Sequence, residues 1–260
     1  MYCPKCKQQT LVPYMGWNFG THLCKTCGYI GPLFIEDVPK KMIKEPKLIR
    51  EPKYYRQEFK GMLVNFYDLS FRVVLLGQEK KMRERFLKHI STEMKTILDM
   101  ATGTGSVAIA IKLAFPKISV TGIDLSEEML HIAEKKAQKQ HSRISFLLQN
   151  IEKTQFKKEA FDAITLSFGL HELPLENRKN VLKEAYRLLK KGGKFLIMDY
   201  HRPRSKLFSF FLNIHIFLVE KYAKTILNQD LQKELQKYGF HKTKKELIYG
   251  DLVQIIVGEK

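Results

Sequence analysis

The sequence predicts an α/β protein in which a doubly wound, mostly parallel sheet follows a small four-cysteine module. All four cysteines lie within the first 27 residues, and from residue 96 onward short apolar segments alternate with helix-like amphipathic segments. Such alternation implies parallel strands joined by helical crossovers. With 260 residues, of which 44% are apolar, the chain is long enough for one full-sized core and one small module.

The N-terminal cysteines form two CxxC pairs, Cys3 with Cys6 and Cys24 with Cys27. Each pair can direct two thiolates at one ion from a tight turn, and their separation fits a four-thiolate zinc site. Four thiolates complete a tetrahedron and leave no position for water, so we expect a structural Zn²⁺ ion and not a catalytic one. Iron is the alternative ion, because four-thiolate sites accept it too.

Residues 2–32 resemble a zinc ribbon, and we therefore predict a ribbon module over residues 1–35. Residues 36–60 contain three prolines among charged side chains and show little periodicity, which is typical of a linker. The large domain is predicted over residues 61–260. This order places a small metal-dependent module ahead of the α/β core.

The chain carries a formal net charge of +18, which raises the question of an anionic partner. Lysines outnumber arginines 35 to 10. Lysine is a solvated point charge, whereas arginine is the planar fork favoured for phosphate recognition. Because the excess is also spread along the whole chain, we expect a solvated basic surface, with nucleic acid as the alternative partner.

The sequence shows no signal-peptide pattern and no run of about 18 apolar residues, so we expect a cytoplasmic protein. Peripheral membrane contact is an alternative, because residues 207–219 (LFSFFLNIHIFLV) are mostly apolar and are flanked by basic side chains. This segment belongs to a predicted lid at about residues 203–226. Its apolar face either packs on the sheet or receives a lipophilic acceptor.

Five apolar, β-leaning segments predict the strands of the large domain. They are TILDMA (96–101), ISVTGID (118–124), ISFLLQN (144–150), FDAITLSFG (161–169) and KFLIMDY (194–200). The helix NRKNVLKEAYRLLK and a turn at Gly192 and Gly193 precede the fifth strand. The later segments DLQKELQKYGF and LVQIIVG predict a last helix and a last strand that close the sheet.

Ligands of doubly wound sheets bind at the carboxyl ends of the strands, near the point where the strand order reverses. The residues that end or follow each predicted strand are therefore the candidate binding residues. Glycines in the first turn let a ligand approach the backbone, and an acidic residue ending the second strand can accept hydrogen bonds from both ribose hydroxyls. The candidates are Asp99, Ala101, Gly103, Thr104, Gly105, Asp124, Leu125, Asn150, Ile151 and Ser167.

A nicotinamide dehydrogenase is the main alternative, because residues 103–108 satisfy the GxGxxA pattern. Against it, Asp99 places a carboxylate at the end of the first strand, where a pyrophosphate would meet negative charge. Tyr186 and Lys190 form a YxxxK pair, but they lie on an amphipathic helix, where packing explains the tyrosine. A carboxylate suits a cationic cofactor without phosphate, and S-adenosylmethionine is such a cofactor.

Five motifs resemble those of class I S-adenosylmethionine-dependent methyltransferases, and of the UbiE family of ubiquinone and menaquinone biosynthesis in particular. They are ILDMATGTG, VTGIDLSEEML, QNIEKTQF, FDAITLSFGL and YRLLKKGGKFLIMDYHRP. The resemblance implies a Rossmann-like fold over residues 62–257 and S-adenosyl-L-methionine as cofactor. The residues that it assigns to the cofactor are Thr104 in the glycine turn, Asp124 at the ribose, Asn150 and Ile151 at adenine, and Ser167 after the fourth strand.

The sequence departs from the family pattern on the acceptor side. His171 and Glu172 stand where Arg and Asn are usual, and Asp199 stands where Glu is usual, so the resemblance leaves the acceptor open. Methyl transfer requires alignment of the nucleophile and exclusion of water, and it requires a base where the acceptor loses a proton. The candidate catalytic residues are His171, His201 and, in a segment that resembles the family's N-terminal YD motif, Tyr67.

The sequence therefore predicts an S-adenosylmethionine-dependent methyltransferase that acts on a small apolar or amphipathic acceptor, such as a quinone precursor or a lipid. The main alternative is an RNA or protein methyltransferase that docks its substrate through the ribbon, which the positive charge would favour. A third alternative is a binding module that keeps the cofactor pocket without catalysis.

Overall fold

The computed structural model describes residues 77–205 and 224–260 in full, together with the backbone of Ala223 and of three short strands nearer the N-terminus. The chain divides into two compact units, Met1–Pro39 and Lys40–Lys260. Each unit has its own sheet.

The small unit contains a three-stranded antiparallel sheet in the order β1-β2-β3. Its strands are β1 (Leu11–Pro13), β2 (Thr21–Cys24) and β3 (Ile30–Pro32). Cys24 is the last residue of β2, but the cysteine side chains lie outside the described part of the chain. The four-cysteine zinc site thus stays a prediction, and no cluster of metal-binding side chains occurs among the described residues.

The large unit contains the other seven strands and all six described helices. The strands are β4 (Thr96–Met100), β5 (Ser119–Asp124), β6 (Ser145–Leu148), β7 (Phe161–Ser167), β8 (Leu189–Tyr200), β9 (His241–Ile248) and β10 (Val253–Glu259). The helices are α1 (Glu79–Leu87), α2 (Ser106–Ala114), α3 (Glu127–Lys139), α4 (Leu175–Leu188), α5 (Ala223–Ile226) and α6 (Leu231–Lys237).

The seven strands pair in the order β6-β5-β4-β7-β8-β10-β9. The first five are parallel to one another, and β10 runs antiparallel to both β8 and β9. The chain builds β4, β5 and β6 outward in one direction and then returns to place β7 and β8 on the other side of β4. The predicted doubly wound, mostly parallel sheet is confirmed, and its strand order reverses between β4 and β7.

The central strands are buried on both faces, which explains their nearly continuous apolar sequences. Leu98, Ile164 and Ile197, on three neighbouring strands, are fully buried. Helix α2 adds Val107 and Ile111 to the same core. Burial of each such side chain contributes roughly 1.5–3 kcal/mol of hydrophobic stabilisation. The centre of the sheet therefore supports the loops and side chains at the carboxyl ends of its strands.

The predicted turn at Gly192 and Gly193 is wrong. Strand β8 begins at Leu189, directly after α4, and the two glycines lie inside it. Gly192 has a φ of +75°, and the pairing of β7 with β8 shifts register between Phe161 and Ala163. The glycines therefore form an irregularity within a strand and not its beginning, a role that glycine fills because it has no side chain to strain.

Several predictions fall outside the described residues. These are the linker at 36–60, Tyr67, and residues 206–222 of the predicted lid. In the ranges that the structure describes, no helix has the length and apolar character needed to cross a membrane.

Candidate active site

The glycine turn after β4 is shaped by backbone conformations that few side chains tolerate. Ala101, Gly103 and Gly105 have φ values of 51°, 54° and 76°. A Cβ atom added to Gly103 would meet nothing within 4 Å, so this part of the turn faces open space. A Cβ atom on Gly105 would lie 2.8 Å from the Cβ of Ala133 on α3, so Gly105 allows α2 and α3 to approach each other closely.

Asp124, the last residue of β5, connects the glycine turn to the next helix. Its carboxylate accepts hydrogen bonds from the backbone N–H of Gly103 at 2.8 Å and from that of Ser126 at 2.9 Å. The hydroxyl of Ser126 in turn accepts from the N–H of Met129 at 3.2 Å and caps α3. Burial raises the pKa of Asp124, although these backbone hydrogen bonds oppose the effect.

Asp99 supports the turn from below. The carboxylate is buried on β4 and accepts hydrogen bonds from the hydroxyls of Thr102 at 2.6 Å and Thr165 at 2.7 Å. Burial raises the pKa of Asp99 to about 6, the threonine hydroxyls oppose the shift, and the nearby carboxylate of Asp124 adds to it. Among the described residues, the hydrogen-bond donors to these two carboxylates at the floor of the turn are neutral hydroxyl and backbone groups.

A cavity of about 980 Å³ opens at the carboxyl ends of β4, β5 and β7. The structure brings five of the predicted cofactor residues together on its wall, namely Ala101, Gly103, Thr104, Asp124 and Ser167. The other five, which do not line the cavity, are Asp99, Gly105, Leu125, Asn150 and Ile151. Asn150 caps its own loop, since its side-chain oxygen accepts a hydrogen bond from the N–H of Glu152 at 2.8 Å.

Two groups of cavity residues were not found by sequence reasoning. The first is the α1 wall, which includes Met82, Arg83 and Leu87 and carries no motif. The second is Lys136 on α3, whose ammonium group donates to the hydroxyls of Thr104 at 3.0 Å and Ser106 at 2.9 Å. Its position seven residues after Met129 places it on the face of α3 that meets the glycine turn, and this helical spacing was the available signal.

The loop between β7 and α4 forms another part of the cavity wall through Phe168, Gly169 and Glu172. Phe168 has a left-handed φ of 51°. A Cβ atom on Gly169 would lie 2.9 Å from the Cβ of Ala101, so this loop and the glycine turn are in close contact. His171 belongs to the same loop but is only 2% exposed.

The structure does not bring the predicted catalytic residues together on the cavity wall. The Nδ1 atom of His171 lies 2.7 Å from a carboxylate oxygen of Asp199. The Nδ1 atom of His201 lies 3.0 Å from the backbone oxygen of Asp251, and burial lowers the pKa of His201. Neither histidine lines the cavity, and Tyr67 lies outside the described residues.

The strand order, with a cavity at its reversal point, is that of the Rossmann-like fold of class I methyltransferases. An O-methyltransferase family protein from Burkholderia thailandensis has the same fold, with a TM-score of 0.62 and 16% identity over 80% of this chain and 64% of that chain. A Haemonchus contortus phosphoethanolamine N-methyltransferase in complex with S-adenosyl-L-methionine gives a TM-score of 0.59 and 17% identity over 79% of this chain and 58% of that chain.

Residues 50–248 match the ubiE/COQ5 methyltransferase family, and the chain belongs to that family. A demethylmenaquinone methyltransferase from Thermotoga maritima is 35% identical over 144 residues, 55% of this chain and 60% of that relative. A UbiE C-methyltransferase of ubiquinone and menaquinone biosynthesis from Geotalea uraniireducens is 29% identical over 226 residues, 78% of this chain and 95% of that relative. The dehydrogenase alternative is therefore excluded.

Proposed function

We propose that this chain transfers a methyl group from S-adenosylmethionine to a ring carbon of a small, apolar or amphipathic acceptor of the quinone-precursor type. The observation that carries the proposal is one cavity that joins the carboxylate of Asp124 and the glycine turn to apolar side chains such as Met82, Leu87 and Met198. A cavity that is polar on one side and apolar on another suits a charged cofactor beside an apolar acceptor. The names of the two relatives, which specify demethylmenaquinone and C-methylation, support this acceptor class.

The residues present fit the cofactor. Asp124 uses its oxygens for two backbone N–H groups, and a carboxylate offers about four acceptor positions, so it retains capacity for ribose hydroxyls. The open space above Gly103 lets a ligand lie against the backbone. Asp99 and Asp124 together favour a cation, because their hydrogen-bond donors in the part of the chain that the structure describes are neutral. We further propose that Asn150 and Ile151 approach the adenine.

When bound, S-adenosylmethionine supplies an electrophilic methyl carbon on a positively charged sulfur. The protein's task is to align the acceptor carbon behind that methyl group and to exclude water. The acceptor forms the new C–C bond and loses one proton overall, and sulfur keeps the electron pair of the broken bond. The apolar side chains of Met82, Leu87 and Phe168 on the cavity wall would hold the acceptor ring and keep water out.

A methyl-transfer assay tests this function directly. The purified full-length chain would be incubated with methyl-labelled S-adenosylmethionine and, in parallel, with reduced demethylmenaquinone or total RNA. We expect label in the quinol and none in the RNA. Label in RNA alone would instead support the macromolecular alternative, and tight cofactor binding without transfer would support a non-catalytic binding module.

We also propose that Cys3, Cys6, Cys24 and Cys27 hold one structural Zn²⁺ ion in a ribbon over residues 1–35. The antiparallel order β1-β2-β3, with Cys24 ending β2, supports a ribbon. A linker at 36–60, a catalytic domain over 61–260, a lid at about 203–226, and a cytoplasmic location with peripheral membrane contact complete the proposed organisation.

Removal of the metal tests the ribbon proposal. We expect elemental analysis to find one zinc per chain, and a chelator to unfold the small unit while the helices of the large unit persist, because the metal would replace a core in a module this small. Circular dichroism and limited proteolysis measure the two effects. Iron in place of zinc, or loss of the whole fold on chelation, would contradict the proposal.

A further inference from the structure

Asp199, one of the positions at which the sequence departs from the family pattern, is a fully buried carboxylate near the end of β8. It accepts a hydrogen bond from the backbone N–H of Tyr200 at 2.7 Å and two longer ones from Leu170 at 3.1 Å and His171 at 3.3 Å. The oxygen that accepts from Tyr200, Oδ1, also lies 2.7 Å from the Nδ1 atom of His171, whereas Oδ2 accepts from the two backbone N–H groups of the loop. Four N–H donors therefore converge on one carboxylate.

These contacts fix the loop that follows β7. Leu170 and His171 are the two residues between Gly169 and Glu172, which both line the cavity. The guanidinium of Arg178, also buried, donates to the backbone oxygen of Leu170 at 2.9 Å. The loop is thus held from two sides, and the cavity wall that it forms depends on a carboxylate of the neighbouring strand.

The same contacts orient the imidazole ring of His171. A carboxylate that already accepts three backbone N–H groups acts as an acceptor toward Nδ1 as well, so we infer that Nδ1 carries a proton and donates it to Asp199. The ring also packs at 4.7 Å from the ring of Tyr200, which packs at 5.3 Å from that of Phe168. Phe168 lines the cavity, so a chain of contacts leads from Asp199 to the wall.

His171 and Asp199 are two of the positions at which the chain departs from the family pattern, and the structure places them in contact with each other. A shorter acid and an imidazole occupy positions where a longer acid and a guanidinium are usual. The two departures therefore act as a pair beside the loop whose residues Phe168, Gly169 and Glu172 line the cavity.

We propose that Asp199 is a positioning residue for methyl transfer, and that it acts through His171 to hold the loop of residues 168–172 as the wall that places the acceptor. This inference rests on the proposed function. It gives His171 a positioning role in place of the substrate contact expected from the sequence, in agreement with its burial.

The test compares Asp199→Asn, His171→Asn and the double variant with the wild-type full-length chain. Asparagine at 199 keeps the size of the side chain but replaces one acceptor oxygen with a donor group, and asparagine at 171 keeps a donor for Asp199. Asp162→Asn is the matched control, because Asp162 also accepts backbone N–H groups of a neighbouring residue pair, Lys95 and Thr96, but at the amino end of the sheet.

We expect each single variant to lower kcat toward reduced demethylmenaquinone on the order of 10²-fold, the effect of a small misplacement of a reactant. The Kd for S-adenosylmethionine should stay within about twofold, since the altered interaction concerns the acceptor. The double variant should be no slower than the slower single variant, because both residues act as one unit. The control should keep the wild-type kcat while losing stability.

Two results would overturn the inference. One is a wild-type kcat in Asp199→Asn; the other is a double variant whose losses multiply, which would show that Asp199 does not act through His171. The ¹⁵N chemical shifts of His171 in the wild-type chain add a readout independent of activity and of variant folding, and an Nδ1 atom without a proton would contradict the pairing. If the wild type transfers no methyl group to the quinol, the proposed function fails, and the ¹⁵N result then decides the inference alone.

Discussion

The two ends of the sheet use aspartate in opposite ways. At the amino end, Asp162 accepts hydrogen bonds from the N–H groups of Lys95 and Thr96 and pairs with the ammonium of Lys190 at 2.7 Å. Burial acts to raise the pKa of Asp162, but the hydrogen bonds, led by that from Lys190, outweigh it and lower the pKa. At the carboxyl end, the donors to Asp99 among the described residues are neutral, namely two threonine hydroxyls and the backbone of Ala108, and burial raises its pKa to about 6.

The different hydrogen-bond partners of Asp162 and Asp99 give one carboxylate a role in stability and leave the other available for a ligand. A carboxylate with a cationic partner contributes to folding and has no net charge to offer a ligand, whereas one held by neutral donors keeps its charge and destabilises the fold when ionised. Asp162 at the amino end therefore stabilises the fold, whereas Asp99 and Asp124 at the carboxyl end retain negative charge that a cationic cofactor can neutralise. Each end can be tested by changing one carboxylate.

The largest effect is expected from the ionisation of Asp99. Because its pKa is raised from 3.8 to about 6, the folded state binds more protons than the unfolded state between these values, and stability falls as pH rises through that window. The contribution is on the order of 3 kcal/mol. Urea unfolding from pH 4 to pH 7 should show that the wild type loses stability relative to Asp99→Asn. A constant difference would mean that Asp99 ionises normally.

The next effect concerns cofactor binding. Asp124→Ala removes an ionised acceptor of ribose hydroxyls, which should cost roughly 1.5–3 kcal/mol of binding free energy, or about ten- to a hundredfold in the Kd for S-adenosylmethionine. Isothermal titration calorimetry measures this change. Asp124 also anchors Gly103 and Ser126, so circular dichroism must first show that the variant is folded. An unchanged Kd in a folded variant would exclude Asp124 from the cofactor site.

The smallest effect is expected at the amino end. Asp162→Asn should lower the free energy of unfolding by about 1–2 kcal/mol at pH 7, since it weakens the interactions with Lys190 and Thr96. Because the pKa of Asp162 is lowered in the folded state, this contribution should vanish as pH falls through that pKa, opposite in direction to Asp99. Cofactor affinity should not change. A weaker Kd in this variant would mean that the two ends are coupled.

The carboxyl-end residues that the sequence could identify are those that interrupt an apolar strand. Asp99, Asp124 and Ser167 each stand at the end of a buried segment, so periodicity locates the strand and its polar end together. The strand order follows from the alternation of strands and helices, and the family resemblance strengthens it. This is why the sheet and five of the ten proposed cofactor residues come together at one cavity.

The remaining features depend on contacts between distant segments. Met82 and Leu87 line the cavity because α1 lies beside it. The sequence of a helix does not by itself predict which distant segment the helix packs against. The sequence placed His171 near the acceptor by its order along the chain, but only the pairing of β7 with β8 shows that Asp199 lies within 2.7 Å of it. Gly192 and Gly193 looked like a turn because glycine indicates an unusual backbone without showing which kind.

The close approach of Gly105 and Ala133 affects how sequence variation in this protein should be interpreted. Ala133 does not line the cavity, yet its methyl group already leaves no room for a side chain at position 105. An added methyl group at position 133 would push α3 away from α2 and shift the turn that carries Gly103. In an engineered or natural variant, a substitution at Ala133 would thus change ligand affinity while resembling a change in the core.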